Sequence, residues 1–189
     1  MASPTLEGFV AQAAALMRDR PDPVDCVLAL APVMHELIER ATTLLEPRHC
    51  RSDPNHYARN LVYAAPDASL SLYALVWSPG QWTPVHDHCS WGVVGVVEGV
   101  LEERSYVRLS PDLGTDEGIQ LARAGVVLLG RGAVTSFVPN PDHIHVTGVS
   151  PHRPRAVSLH LYGRTMNIFN TYDLASGTRQ RVLVEHSER

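Results

Sequence analysis

From about residue 57 onward the chain breaks into short runs that each suit a strand, with turn residues between them and no helical pattern interleaved. LSLYALVW (70–77), WTPVHDH, VVGVV, LEERSYVRL, GVVLL, VTSFV, HIHVTGV, RAVSLHLYG, NIFNTYD and RQRVLVE are these runs. Pro79-Gly80 and residues 112–114, 130–132 and 139–142 mark turns. So many short strands in succession restrict the fold to a β-sandwich or a small barrel. Ahead of them, residues 4–47 read as helical. Leu6, Phe9, Val10, Ala13, Leu16 and Met17 share one helix face, and Pro21 and Pro23 end that run. A second helix is expected over about residues 24–45, with Val27, Leu30, Leu37 and Leu44 apolar and Pro32 as a kink or split point. His35 within it reads as an ordinary helix residue. The expectation is one domain over residues 1–189: N-terminal helices (1–50) packed outside an all-β barrel (55–189).

Composition narrows the function classes. A net charge of -4 gives no electrostatic case for nucleic acid or an anionic membrane as partner. All 16 basic residues are arginine, which excludes lysine chemistry such as Schiff-base formation. Cys26, Cys50 and Cys89 are odd in number and far apart, so neither a disulfide framework nor a structural zinc site is expected. A reducing cytoplasm is the simpler home, since the N-terminus lacks signal-peptide character and no apolar run suits a membrane span. The oligomeric expectation is a monomer or small homo-oligomer.

Chemistry concentrates in PVHDHCSWGVVGVVEG (84–99). His86 and His88 sit two positions apart, so on a strand both imidazoles face one side, as two ligands of one metal must. With 10 histidines in the chain, chance is a serious competitor. A third ligand has four candidates: His143, His145, His152 and His160. In AVSLHLYG, Ser158, His160 and Tyr162 alternate with Val157, Leu159 and Leu161. A polar row of that kind lines a site or forms a solvated outer face.

Gly80, His86, His88 and Gly99 match the spacing of the first motif of cupins, small jelly-roll barrels. The glutamate ligand usual four positions after the second histidine is replaced here by Gly92. Together with HYARNLV (56–62), LVWSPGQWTPVHDH (75–88), IHVTGVS (144–150) and AVSLHLYG (156–163), these residues resemble the cysteine dioxygenases and related thiol dioxygenases. The resemblance implies a cupin barrel, iron(II) held by three histidines, and oxidation of a small thiol by O2 to a sulfinate. It carries the metal ligands to His86, His88 and His145, with the spacing to the Ser-His-Tyr row favouring His145 over His143. It carries the catalytic row to Ser158, His160 and Tyr162, and the carboxylate-binding arginine to Arg59, with Tyr57 beside it.

Three neutral imidazoles leave a divalent metal its full charge and open positions, although affinity ordering favours zinc over iron at nitrogen sites. Such a site suits a substrate that brings its own anionic ligand, and a thiol does so because coordination removes its proton. Arg59 suits a substrate carboxylate through a bidentate, charge-assisted contact. Two departures from the family stand out. The cysteine that cross-links to the active-site tyrosine in animal enzymes is matched by Gly92, so an uncross-linked Tyr162 is expected. Cys89 is no substitute, because by alternation it faces away from His86 and His88. After the tyrosine, Gly163-Arg164-Thr165 stands where cysteine-specific members have Ser-Pro-Pro. Members acting on 3-mercaptopropionate typically have glutamine at the position of Arg59, which points back toward an arginine-type enzyme. Arg164, if it reached the pocket, would favour a dicarboxylate such as mercaptosuccinate. The rival classes are a cupin catalysing isomerisation or carbon oxygenation, and a non-enzymatic metal- or ligand-binding cupin.

Overall fold

A computed structural model of the chain describes residues 5–139 and 143–184. Pro4, the turn residues past Pro139 up to Asp142, and Glu185 lie outside the described residues. Helix α1 (Leu6–Asp19) starts where the Thr5 side chain accepts the Gly8 N–H at 3.0 Å, and it buries Phe9 and Ala13. Asp22 caps α2 (Pro23–Glu39), accepting from Val24 and Asp25, with Pro23 in the first turn, where no N–H is needed. Pro32 stays inside α2 without splitting it. The carbonyl it leaves unbonded belongs to Leu28, which is 63% exposed, so water has access. The predicted second helix divides instead at Arg40, before the short α3 (Ala41–Leu44) and a 3₁₀ turn at Pro47–Cys50.

Eleven strands follow among the described residues. The first five are β1 (Ala58–Ala64), β2 (Ser71–Trp77), β3 (Val85–His86), β4 (Gly92–Glu98) and β5 (Val100–Arg108). Then come β6 (Leu121–Gly130), β7 (Val134–Phe137), β8 (Ile144–Gly148), β9 (Ala156–Tyr162), β10 (Ile168–Asp173) and β11 (Thr178–Leu183). They form a five-stranded sheet, β1-β2-β9-β4-β7, and a six-stranded sheet, β11-β10-β3-β8-β5-β6, paired antiparallel throughout. This is the cupin double sheet with N-terminal helices outside.

The two faces of the five-stranded sheet have different jobs. Leu72, Ala74, Val93, Leu159 and Leu161 pack outward against Leu30, Met34, Leu37 and Ile38 of α2. Tyr73, Leu75, Trp77, Val94 and Tyr162 point inward with Phe137, Met166 and Phe169. Every residue of β2 and β9 is therefore buried. Gly95 permits the helix to lie this close, because a Cβ there would sit 2.5 Å from the Ile38 side chain. The Ser158-His160-Tyr162 row thus belongs to the barrel interior and not to a solvated surface.

Candidate metal centre and substrate pocket

His86 ends β3 and pairs directly with His145 on β8. His88 lies just past β3, so strand alternation alone does not place it, yet its ring centroid is 4.7 Å from His86 and 5.1 Å from His145. All three imidazoles are buried. Their ligand nitrogens lie within 4.8 Å of one another. His86 Nδ1 is 3.0 Å from the Pro84 carbonyl, which leaves its Nε2 lone pair facing His88 Nε2 at 3.2 Å. His145 Nε2 is buried with no partner. Burial pushes the pKa of each ring below the ordinary histidine value, so all three are neutral near pH 7. Neutral nitrogens converging on one another, with His145 Nε2 left unpartnered, fit a divalent metal at one three-histidine site.

Of the other histidines weighed as third ligand, His152 is exposed. His143 stacks on Phe137 at 4.6 Å, with Nε2 3.5 Å from Glu103 and outside the triad. His160 belongs to the Ser158-His160-Tyr162 row. Trp77 Nε1–H donates to Ser158 Oγ at 3.0 Å, Ser158 Oγ lies 2.8 Å from His160 Nε2, and His160 Nδ1 lies 3.2 Å from the Tyr162 hydroxyl. Indole is a donor only, so it occupies one lone pair of Ser158. In the tautomer in which Ser158 donates onward to Nε2, the imidazole hydrogen sits on Nδ1 toward Tyr162. The Tyr162 O–H is then free to point into the cavity. Burial lowers the His160 pKa to about 3 and raises that of Tyr162 well above the usual phenol value. At neutral pH both are uncharged, and Tyr162 is a donor.

Arg59 on β1 lines the same cavity as Tyr57, Trp77, the three metal-site histidines, His160 and Tyr162. Its guanidinium donates to the Met166 carbonyl at 2.7 Å and lies over the Tyr73 and Phe169 rings at 5.0 and 5.8 Å. Among the described residues no carboxylate stands within ion-pairing distance of it. Its positive charge acts on His86, His160 and Tyr162 across the cavity. Tyr57 stacks on Trp77 at 4.6 Å, so one indole both seats Tyr57 and donates to the Ser158-His160-Tyr162 row. Arg164 is not among the residues lining the cavity. Its carbonyl accepts from Ser71, and its charge is felt at Cys89 instead.

The cysteine dioxygenase type I family model matches residues 5–175. The chain belongs to this family. Bovine cysteine dioxygenase type 1 is 25% identical over 137 residues, covering 72% of this chain and 65% of the bovine protein. The human protein is 24% identical over 135 residues, 71% of this chain and 64% of its own length. The matched region is thus just under two thirds of these relatives. A cupin-like protein from Thermotoga maritima superposes with a TM-score of 0.45 at 14% identity, covering 76% of this chain and 92% of that one. A double-stranded β-helix protein from Klebsiella pneumoniae gives 0.45 at 14%, covering 73% and 87%.

Within this cysteine dioxygenase family chain, Gly92 acquires a physical explanation. Its neighbours in register are Phe137 and Tyr162, and a Cβ added there would lie 2.3 Å from the Phe137 ring. Phe137 fills the space and stacks on His88 at 4.5 Å. No thiol stands beside Tyr162 at this position, and the Cys89 thiol donates to Asp87 Oδ1 at 3.2 Å. Trp77, Met166 and Phe169 line the cavity and Glu103 and Phe137 contact its histidines, and none of the five is marked by a motif in the sequence. Glu103 and Trp77 were visible as polar or amphipathic residues in strand runs, but only the cross-strand register shows what they touch.

Proposed function

We propose that this protein is an iron(II)-dependent thiol dioxygenase that converts a small carboxylated thiol, L-cysteine foremost, to its sulfinic acid: RSH + O2 → RSO2H. The observation that carries the reading is an unneutralised Arg59 on the same cavity wall as three convergent neutral histidines. Bound at His86, His88 and His145, iron(II) would supply the positions at which a thiolate and O2 meet. The residues of the chain do the rest. Arg59 holds the substrate carboxylate, and Tyr57 closes the wall beside it. Tyr162 offers its hydroxyl hydrogen to a substrate oxygen, oriented by His160 and Ser158. Apolar neighbours, Met166, Phe169 and Leu75, limit water in the cavity.

3-Mercaptopropionate fits the same arginine, whereas mercaptosuccinate needs a second cation that Arg164 does not bring to the cavity. A ligand-binding cupin without turnover is the rival of another class. On the proposed reading the partners are a small thiol and O2, and the reducing cytoplasm is where three free cysteines persist. Oxygen uptake by iron-loaded protein with a panel of thiols tests the proposal. Arg59→Ala is expected to lower kcat/KM for carboxylated thiols by about 10- to 100-fold, the worth of one charged hydrogen-bonded contact. It should leave an uncarboxylated thiol such as cysteamine nearly unchanged. Equal losses on both would make Arg59 structural, and no thiol-dependent uptake at all would overturn the reaction.

A further inference from the structure

The three metal-site imidazoles are supported unequally through their second nitrogens. His86 Nδ1 meets a neutral carbonyl, that of Pro84, and His88 Nδ1 is buried without a partner. His145 Nδ1 lies 3.3 Å from Glu103 Oε2 and 3.3 Å from Thr147 Oγ1. Among the described residues, Glu103 is the one carboxylate within ion-pairing distance of any of the three rings. We propose that Glu103 is a positioning residue of the metal centre. On this inference it accepts the Nδ1 hydrogen of His145, aims Nε2 at the metal and makes that ring the most electron-rich of the three ligands.

The register accounts for the contact. Glu103 on β5 stands opposite Thr147 on β8, and Ser105 stands opposite His145. Glu103 is therefore the diagonal neighbour of His145 on the inner face of the sheet, within reach of a long side chain. The second carboxylate oxygen lies 3.5 Å from His143 Nε2, and His143 is itself stacked flat on Phe137. Glu103 is thus held from two sides. Both acceptors near His145 crowd Nδ1, while Nε2 is left bare, so the tautomer suits a ligand. Burial pushes the Glu103 carboxyl up, but the hydrogen bonds from His143 and His145 outweigh it and hold the group ionised. A carboxylate one layer behind a ligand histidine raises that ligand's basicity and fixes its ring. Gly92 offers no carboxylate where cupins usually have their glutamate ligand, and Phe137 occupies the space. Glu103 restores a negative charge to the centre without taking a coordination position.

The bland alternative is that Glu103 merely pairs with His143 to stitch β5 to β8. Anaerobic cobalt(II) titration separates the two, read as dissociation constant and visible d–d spectrum, alongside thermal unfolding of the metal-free protein. The inference rests on the three-histidine metal site. Glu103→Leu should weaken cobalt binding by about 10- to 100-fold and shift the d–d bands. Glu103→Gln keeps an acceptor but not the charge, and should lie between Leu and native. Native protein that binds one cobalt per chain, with both variants matching it in affinity and spectrum, overturns this role while leaving the metal site standing. Native protein that binds no cobalt overturns the site and the inference together. A native stoichiometry of two also overturns it, because Glu103, His143 and His145 then act as a second metal site.

Discussion

The two sheets face each other across one cavity, yet they hold their functional residues by opposite means. The five-stranded sheet contributes Arg59, Trp77, Ser158, His160 and Tyr162, and it is covered on its far face by α2, on which α1 packs. The six-stranded sheet contributes His86, His145 and Glu103, and its outer strand β6 leaves Val126, Val127 and Leu128 about half exposed. On the first sheet, apolar burial on both faces fixes the backbone that carries the Ser158-His160-Tyr162 row. On the second, polar contacts behind two of the three ligands do the orienting: Pro84 for His86, Glu103 and Thr147 for His145. Packing and ligation are thus divided between sheets, so damage to one need not look like damage to the other.

The sharpest way to break that division is a crossed pair of substitutions. His145→Ala should abolish tight metal binding, since two imidazoles remain, while the metal-free protein keeps its unfolding temperature within a few degrees. Leu30→Ala, at a fully buried position between α2 and the sheet, should cost about 2–5 kcal/mol of stability with metal affinity unchanged. Equilibrium denaturation and cobalt titration on both variants check it. A Leu30 variant with weakened metal binding would show that the helices also set the ligand geometry.

A smaller effect is expected at Gly92, where the sheets meet through Phe137. Gly92→Cys places a Cβ against the Phe137 ring, so overpacking should cost about 1–3 kcal/mol. The introduced thiol should not link to Tyr162 unless Phe137 moves, which intact-mass analysis and a Gly92→Cys, Phe137→Ala double variant can read. A cross-link in the single variant would mean that Phe137 yields easily.

A separate effect is expected in the pH dependence of the metal-free protein. His160 titrates at about 3 in the fold against 6.5 for a free histidine. A histidine held neutral adds stability that is present above about pH 6.5 and is lost as pH falls toward 3. His86, His88 and His145 are shifted in the same direction by burial. Unfolding temperature should therefore fall between pH 7 and 4, and His160→Gln should make that fall shallower. An unchanged slope would place His160 in water.

Much of this was legible in the chain. The period of Leu6, Phe9, Val10 and Ala13 gave α1, and the alternation in AVSLHLYG put Ser158, His160 and Tyr162 on one face. The three metal-site histidines came from residue type, spacing and family resemblance. What could not be read depends on contacts between distant strands. Trp77 looked like the end of an apolar run until β2 paired with β9 and brought its indole to Ser158. Glu103 looked like one charge in LEER until β5 paired with β8. Pro32 looked like a break, but an exposed carbonyl let α2 continue. Arg164 looked like a second anion site, yet it does not line the cavity that Arg59 does.

On the proposed reading, the cavity adds both atoms of O2 to the sulfur of a small carboxylated thiol. Iron-loaded protein given L-cysteine under 18O2 tests it directly by mass spectrometry of the product. The expected product is a sulfinate carrying two labelled oxygens, formed by native protein and not by His145→Ala. Disulfide alone, or a sulfinate labelled no more than the His145→Ala control, would contradict it.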